Sequence, residues 1–300
     1  MSKTLPVLIS RDIKMFFREK GLFFTALITP MILLVLYATF LSNVYRDSFV
    51  AGLPETVQVS NKVVEGVVAG QLISSLLAVS CVTVAFCSNM LSVQDKADRQ
   101  IDDFAVSPVK GSEMALAYYI ATLASTLIVT LFALCAGLAF IGIKGWYLSA
   151  SDVLFSFLDV VLVSMFGTAL STAINFFLSS RGQISAVGSI VSSCYGFICG
   201  AYMPISSFGA GLQKVISFLP GTYATGLMRN HLMHGAIDEF CRGFPPESAQ
   251  KFLDAVDCNL YFFGNRISVG GMYMIVGGSV VLLVALCVVL YKVKGKAAVK

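Results

Sequence analysis

Long apolar blocks, separated by short polar segments, make up most of this 300-residue chain. They cover residues 22–42, 67–93, 114–143, 153–178, 184–203 and 267–291. Because an α-helix rises 1.5 Å per residue, about 20 such residues cross the roughly 30 Å hydrocarbon core of a bilayer. Only 13% of the residues are charged, which is about half the share in a soluble domain. We therefore expect an all-α integral membrane protein with about six transmembrane helices in a single domain, residues 1–300.

The basic residues indicate how these helices are oriented. Six spans leave both termini on one side of the membrane, and that side collects 13 of the 21 lysines and arginines although its loops are shorter. Loops rich in lysine and arginine stay in the cytoplasm, so we expect both termini to be cytoplasmic. No basic run is interleaved with exposed aromatic residues, which argues against a nucleic-acid partner.

The first 20 residues are predicted to form an amphipathic helix in the membrane interface. The apolar stripe consists of Leu5, Ile9, Ile13 and Phe16, and the basic face of Arg11, Lys14 and Arg18. Asp12 and Glu19 interrupt a flank of the stripe, so we expect part of this helix to face protein. The alternative is a solvated, charged leader.

The cytoplasmic loop at residues 94–113 contains a second small amphipathic segment. Ile101, Phe104 and Ala105 share one face, and Ser107 with Pro108 ends the helix, because proline lacks an amide proton and disfavours helical geometry in the residue before it. An apolar face in the cytoplasm predicts contact with a partner protein. Alternatively, Phe104 dips back into the membrane interface, where aromatic residues are common.

Residues 203–229 are apolar but too broken to cross the membrane. The interruptions are Pro204, Gly209, Gly211, Pro220 and Gly221. Such a pattern is typical of a pair of short re-entrant helices that pack against protein. Residues 235–266 are polar, so we expect 204–266 to form an outer hairpin followed by an extracellular segment.

In this order, these pieces resemble the permease subunits of ABC transporters of the second exporter type, which include many bacterial drug, lipid and polysaccharide exporters. The matching segments are Arg18-Glu19-Lys20, Pro30, Asp102 to Val109, Tyr202 to Ile205 and Leu219 to Tyr223, followed by the basic residue Arg229. One departure is Asp98-Arg99-Gln100-Ile101-Asp102, where many members have an Arg-Glu-x-Gly-Thr-like start to the cytoplasmic helix.

The resemblance implies an export permease in a bacterial plasma membrane, with membrane lipid around it. The substrate is expected to be amphiphilic: a drug, peptide, lipid or glycan. The permease is expected to be a dimer, either of two identical chains or with a related permease, around a central substrate path. The residues expected to couple it to an ABC ATPase are Ile101, Asp102, Phe104, Ala105 and Pro108.

ATP and magnesium are expected on that partner ATPase and not on this chain. The one Gly-Lys pair, Gly295-Lys296, is followed by Ala297, so it does not complete the phosphate-binding loop G-x-x-x-x-G-K-[ST]. We therefore expect no enzymatic activity and no cofactor or metal of this chain's own.

Small residues recur every four positions at Gly188, Ser192, Gly196 and Gly200, and again at Gly66, Gly70, Ser74 and Ala78. This spacing lets helix backbones approach closely. Both stripes are candidates for the subunit interface or the substrate path, with ordinary packing inside one subunit as the alternative.

Asp159 is an acidic residue in the outer half of the fourth span. An ionisable residue there is a functional candidate; the alternative is that it reaches a neighbouring donor or the outer interface. His231 and His234, three residues apart, form a weak candidate metal pair, with hydrogen-bonding surface histidines as the alternative.

Cys241 and Cys258 are the two cysteines predicted to lie outside the cell. Both share the oxidising compartment, and no other cysteine does, so we expect them to form a disulfide.

A secondary transporter or channel is the alternative function. It would need ionisable groups near the bilayer centre, and Asp159 is the one candidate. A membrane-embedded enzyme fits less well, since no nucleophile, base and orienting group occur together at plausible depth.

Overall fold

The structure, a computed structural model, describes residues 4–51, 59–100 and 111–297. Its helical architecture confirms the all-α class. The described part has one pair of strands, an antiparallel hairpin that pairs Leu260 with Ile267 and Phe262 with Asn265. The expected coupling residues Ile101, Asp102, Phe104, Ala105 and Pro108 lie outside the described residues.

The helices follow in chain order. The first half contains α1 (Thr4–Arg18), α2 (Lys20–Leu36), which continues through a π-helical turn (Tyr37–Leu41) into α3 (Ser42–Ala51), then α4 (Asn61–Ala97) and α5 (Gly111–Lys144). The second half contains α6 (Ala150–Asn175), α7 (Arg181–Ile198), a 3-10 turn (Ile205–Ser207), α8 (Ala210–Ile216), α9 (Pro220–Leu232), α10 (His234–Phe240), α11 (Pro246–Ala255), β1 (Leu260–Phe262), β2 (Asn265–Ile267) and α12 (Val269–Ala297).

Five of the described helices are long and apolar enough to cross a membrane: Lys20–Asp47, Asn61–Ala97, Glu113–Lys144, Ala150–Asn175 and Val269–Leu290. The block predicted as a span at 184–203 is helical only to Ile198 and is less apolar than these five. Gly200 ends it in the left-handed region, with φ at 73°, a conformation that costs glycine little. The loop predicted at residues 94–113 also begins later than predicted, because α4 continues to Ala97.

Helix α4 lies at the centre of the bundle. All of its most apolar stretch is buried, and it packs against α2, α5, α6, α7 and α9. Its small residues permit this: a Cβ on Gly70 would lie 2.7 Å from the Leu232 carbonyl oxygen, and one on Gly66 would lie 2.9 Å from the Tyr147 ring. The Gly66 and Gly70 positions of the second stripe therefore serve packing inside this chain.

The outer helices show the opposite pattern. In α12 only 17% of the most apolar stretch is buried, and Met274, Val281 and Leu282 are 68–78% exposed. A continuous apolar surface of this kind is stable against lipid and not against water.

The predicted N-terminal helix is present as α1, and it packs against α5 and α2. The residues on its buried face are Leu5, Leu8, Asp12 and Phe16. Asp12 lies on this face, which confirms that part of the helix faces protein.

Short helices occupy the predicted outer region. The chain turns at Pro204, forms α8, and turns again before α9, whose Pro220 stands at its first position, where a missing amide proton costs nothing. Beyond α9 the segment has a small aromatic core in which Phe240 and Phe252 stack at 4.6 Å and Phe49 of α3 packs edge-on. Insertion of α8 and α9 into the membrane stays a prediction.

Candidate functional site

A groove of about 500 Å³ runs between α2 and α7, with α4 as its floor. Its lining residues are Thr25, Ile28, Cys87, Met90, Gln94, Arg181, Ile184, Ser185, Gly188, Ser189, Ser192 and Ser193. Hydroxyl groups from α7 face apolar side chains from α2 and α4. The groove therefore offers an apolar surface and hydrogen-bonding groups side by side.

Two polar tethers link α7 to α4 at its two ends, an exposed one at its start and a buried one beyond its end. At its start, Arg181 Nη2 donates to both carboxylate oxygens of Asp98, at 2.8 and 2.7 Å. Beyond its end, the Gly200 carbonyl oxygen accepts from Arg229 Nη2 at 2.7 Å, and the same nitrogen donates to Ser75 Oγ of α4 at 3.3 Å. Ser75 and Ala97 are about 33 Å apart along α4 at 1.5 Å per residue. The groove thus extends along a helix that follows α4 over the thickness of a bilayer core.

The structure places the predicted stripe of α7 in three settings. A Cβ on Gly188 would lie 2.6 Å from Met90 Cε, and Ser192 lines the groove. Gly196 is covered by the ring of Tyr202, whose amide donates to the Gly196 carbonyl oxygen at 3.0 Å. Gly196 therefore faces its own chain, while Gly188 and Ser192 both line the groove, with Gly188 against Met90.

Asp159 is completely buried and has two partners. His231 Nδ1 lies 2.6 Å from Oδ2, and the Tyr273 hydroxyl donates to Oδ1 at 2.6 Å. His231 also stacks on Phe155, with ring centroids 5.1 Å apart. Asp159 thus joins α6, α9 and α12 through neighbouring hydrogen-bonding groups. No local pattern in the sequence pairs His231 with Asp159, because the two residues are 72 positions apart in the chain.

The two histidines diverge in the structure. His234 is exposed and lies 3.4 Å from Asp152 and 3.6 Å from Asp238, whereas His231 points to Asp159. Across residues 4–51, 59–100 and 111–297, no group of three or more histidine, cysteine, aspartate or glutamate side chains could hold a metal ion.

Arg229 forms a second buried network near the Gly200 end of α7. Its Nη1 donates to Asp257 Oδ2 at 2.8 Å, and the same oxygen accepts from the Ile205 amide at 2.9 Å. With its amide oxygen turned toward the guanidinium, Gln71 accepts from Nη2 and Nε at 3.1 and 3.3 Å. The side chains of Arg229 and Asp257 are 1% and 4% exposed. This network joins α4, the end of α7, α9 and the residues that follow α11.

Two asparagines join α4 to α6 near the Ala97 end of α4 and the Asn175 end of α6. Asn89 Nδ2 donates to Ser171 and Thr172 at 3.1 and 3.2 Å, and Asn175 Nδ2 donates to the Asn89 carbonyl oxygen at 3.2 Å. Lys96 Nζ donates to the Asn175 carbonyl oxygen at 3.0 Å. These bonds satisfy buried polar groups and tie the two helices together.

A charged cluster lies where α1 meets the ends of α4 and α5. Arg11 Nη1 donates to Asp12 Oδ1 at 2.8 Å and to Asp95 Oδ2 at 2.9 Å, and Arg11 Nη2 donates to Gln100 Oε1 at 2.9 Å. The Tyr118 hydroxyl donates to Asp95 at 2.5 Å. The sequence singles out Asp12 but does not identify Asp95 or Tyr118 as its neighbours, since only the fold brings these positions together.

Cys241 and Cys258 are free thiols in the structure. Cys258 is buried and Cys241 is half-buried. Burial raises the pKa of Cys241 to about 11 and that of Cys258 to about 12. Thiols with such pKa values react slowly at neutral pH. The disulfide stays a prediction.

These features describe a helical membrane protein with a lateral groove and paired internal charges. No curated protein matches the chain significantly. Residues 4–233, which include α1 to α9 and the groove, match the family described as ABC-2 type transporter. The match confirms the resemblance seen in the sequence, and this chain belongs to the ABC-2 type transporter family.

Proposed function

We propose that this chain exports an amphiphilic substrate through the groove between α2 and α7, driven by an ABC ATPase on a separate chain. Membership of the family makes the chain a membrane permease subunit and implies an ABC ATPase as its partner. The observation that carries the proposal is the mixed lining of the groove. Drugs, lipids, peptides and glycans that carry apolar and polar parts fit such a surface.

The position of the groove supports outward movement. Its lining begins at Gln94 and Arg181 near the cytoplasmic end of α4 and reaches Ser193. Beyond Ser193, Tyr202 covers Gly196 and the Arg229 network closes the outer end. A substrate would enter from the cytoplasmic side and leave when the outer end opens.

We propose α7 as the sixth membrane span. Its 18 residues measure about 27 Å at 1.5 Å per residue, close to the roughly 30 Å of the bilayer core. Its two tethers to α4 support a crossing at full depth. With six spans both termini lie in the cytoplasm, which agrees with the basic residues of the loops.

The partner ATPase is proposed to dock on residues 101–108, through Ile101, Asp102, Phe104, Ala105 and Pro108. The chain leaves α4 at Asp98 and Arg99, where Arg99 has a φ of 59°. A break there supports a separate short element between α4 and α5. ATP and magnesium would be bound by that partner.

The exposed side of α2 supports a dimer, either of two identical chains or with a related permease. Phe24, Ile28, Met31, Ile32 and Val35 are each more than half exposed, and this face borders the open groove. A second permease placed there would cover the face and close the groove into a central path. Membrane lipid would cover the remaining apolar surface.

The surroundings of Asp159 argue against a secondary transporter. That function would use Asp159 to carry an ion, yet His231 and Tyr273 occupy both of its oxygens. The pair lies at the outer end, away from the groove.

The test is transport by the purified permease–ATPase complex in vesicles, with a panel of fluorescent amphiphiles. Ser192→Trp would fill the groove and should abolish transport and substrate-stimulated ATP hydrolysis while basal hydrolysis persists. Leu282→Trp, on the lipid-facing side of α12, is the matched control and should transport normally. Normal transport by Ser192→Trp would show that the groove is not the path.

A further inference from the structure

The cluster around Arg11 contains more buried negative charge than positive charge. Arg11 pairs with two carboxylates, Asp12 at 2.8 Å and Asp95 at 2.9 Å. The two carboxylate side chains are 4% and 2% exposed. With both carboxylates ionised, these three groups have a net charge of −1. Burying an unmatched charge is costly, and a carboxyl group avoids the cost by taking up a proton.

The groups that face Asp12 come from three elements. On α1 the facing charge is Arg11, on α4 it is Asp95, and on α5 the titratable neighbour is Tyr118, which donates to Asp95. Among the described residues no second cation faces the carboxyl group, so Arg11 is shared. Burial raises the pKa of Asp12 to about 6, although Arg11 opposes the rise.

A small cavity beside Asp12 limits what could neutralise the charge of its carboxylate. It measures about 10 Å³ and is lined by Asp12, Ser88, Ser92, Tyr118 and other residues of α1, α4 and α5. The Ser88 hydroxyl is buried there without a hydrogen-bond partner. A volume of about one water molecule excludes organic cations. A protonated carboxyl needs no more room than the carboxylate and can donate to a hydroxyl such as Ser88.

We propose that Asp12 is a proton-binding site that changes its occupancy near neutral pH and so alters how α1 holds the start of the cytoplasmic loop. Protonation of Asp12 frees Arg11 from one of its two carboxylates. The same guanidinium also bonds Gln100, the last described residue before 101–110. The effect on the loop rests on the proposed function, in which residues 101–108 dock the ATPase. The proton site does not depend on it.

Infrared difference spectroscopy of the purified protein between pH 5 and pH 7.5 tests the site directly. Wild type should show a protonated carboxyl band that titrates with a midpoint near 6, and Asp12→Asn should lack it. Asp95→Asn should keep the band but lower its midpoint by about one pH unit or more, because Asp12 then no longer shares Arg11 with the Asp95 carboxylate. Glu19→Gln, an exposed carboxyl at the end of α1, should match wild type.

Two results would overturn the proposal. One is a wild-type protein without a band in this range; the other is a full band that persists in Asp12→Asn. Asp95→Asn tests the same network if Asp12→Asn does not fold.

ATP hydrolysis by the permease–ATPase complex, compared with the free ATPase over the same pH range, tests the effect on the loop. The ratio should depend on pH in wild type and should lose this dependence in Asp12→Asn. A ratio with the same pH dependence in both would refute the effect on the loop, while the infrared result still decides the proton site. Transport by Ser192→Trp at the wild-type level would instead count against the proposed function.

Discussion

The Arg229–Asp257 pair provides the sharpest test of how the outer segment is held. Arg229→Met removes the guanidinium and leaves the Asp257 carboxylate with backbone amides, those of Ile205 and Ser206, as hydrogen-bond donors. Asp257→Asn leaves the guanidinium buried with neutral acceptors, among them the Gly200 carbonyl oxygen. Removing one partner of a buried pair costs about 3–5 kcal/mol of the free energy of unfolding, so we expect each variant to be severely destabilised.

The two variants should differ in their pH dependence. Burial raises the pKa of Asp257, and Arg229 holds it down in part. Without Arg229 that pKa rises further, so the carboxyl takes up a proton as the pH falls and the penalty of Arg229→Met shrinks. Wild type gains stability when Asp257 takes up a proton at falling pH, and Asp257→Asn lacks this gain, so the penalty of Asp257→Asn should grow as the pH falls. The double variant should lose about 2–3 kcal/mol less than the sum of the single losses.

Equilibrium unfolding in detergent measures these free energies, and the single tryptophan, Trp146, provides an intrinsic fluorescence signal. The control is Arg242→Gln. The Arg242 side chain is 75% exposed and pairs with Glu239, and an exposed pair contributes little to the free energy of unfolding. Single losses below about 1 kcal/mol that add in the double variant would refute the reasoning, because a buried and coupled pair cannot behave in that way.

Four further predictions concern other parts of the chain. Phe104→Asp should release the ATPase from an intact permease dimer, measured by co-purification; reduced membrane insertion would instead favour contact of Phe104 with the membrane interface. Gly196→Leu should impair assembly or transport, because the covering ring leaves no room for a side chain; normal transport would contradict this. Alkylation of denatured, unreduced protein should modify two fewer cysteines than the eight present if Cys241 and Cys258 form a disulfide, and all eight otherwise. The folded pKa of Asp12 (about 6) exceeds its ordinary 3.8, so the ionised carboxylate destabilises the fold above pH 6 and this penalty disappears toward pH 4. Relative to wild type, Asp12→Asn should therefore gain up to about 3 kcal/mol as the pH rises from 4 to 6, measured by unfolding at each pH, and a constant difference would refute the shift.

The sequence by itself determined the class of the protein and most of its helices. Blocks of about 20 apolar residues are stable only across a bilayer, whatever their neighbours, so five spans could be located from composition and length alone. The family could also be recognised, because it depends on the order of short motifs along the chain. The fifth block shows the limit: Arg181 and the serines of α7 lower its apolar content, and only its tethers to α4 reveal its course.

The tertiary structure alone decided which polar residues meet. Asp159 and Tyr273 are 114 residues apart in the chain, and Arg11 and Asp95 are 84 apart. Both separations are far longer than the three or four residues that place two side chains on one helix face, so no local pattern predicts the pairs. Buried polar groups must find partners because water cannot reach them, but the packing of several helices sets which partner is within reach. For the same reason the small residue at Gly196 predicted a close approach, while only the fold identified Tyr202 as the group that approaches it.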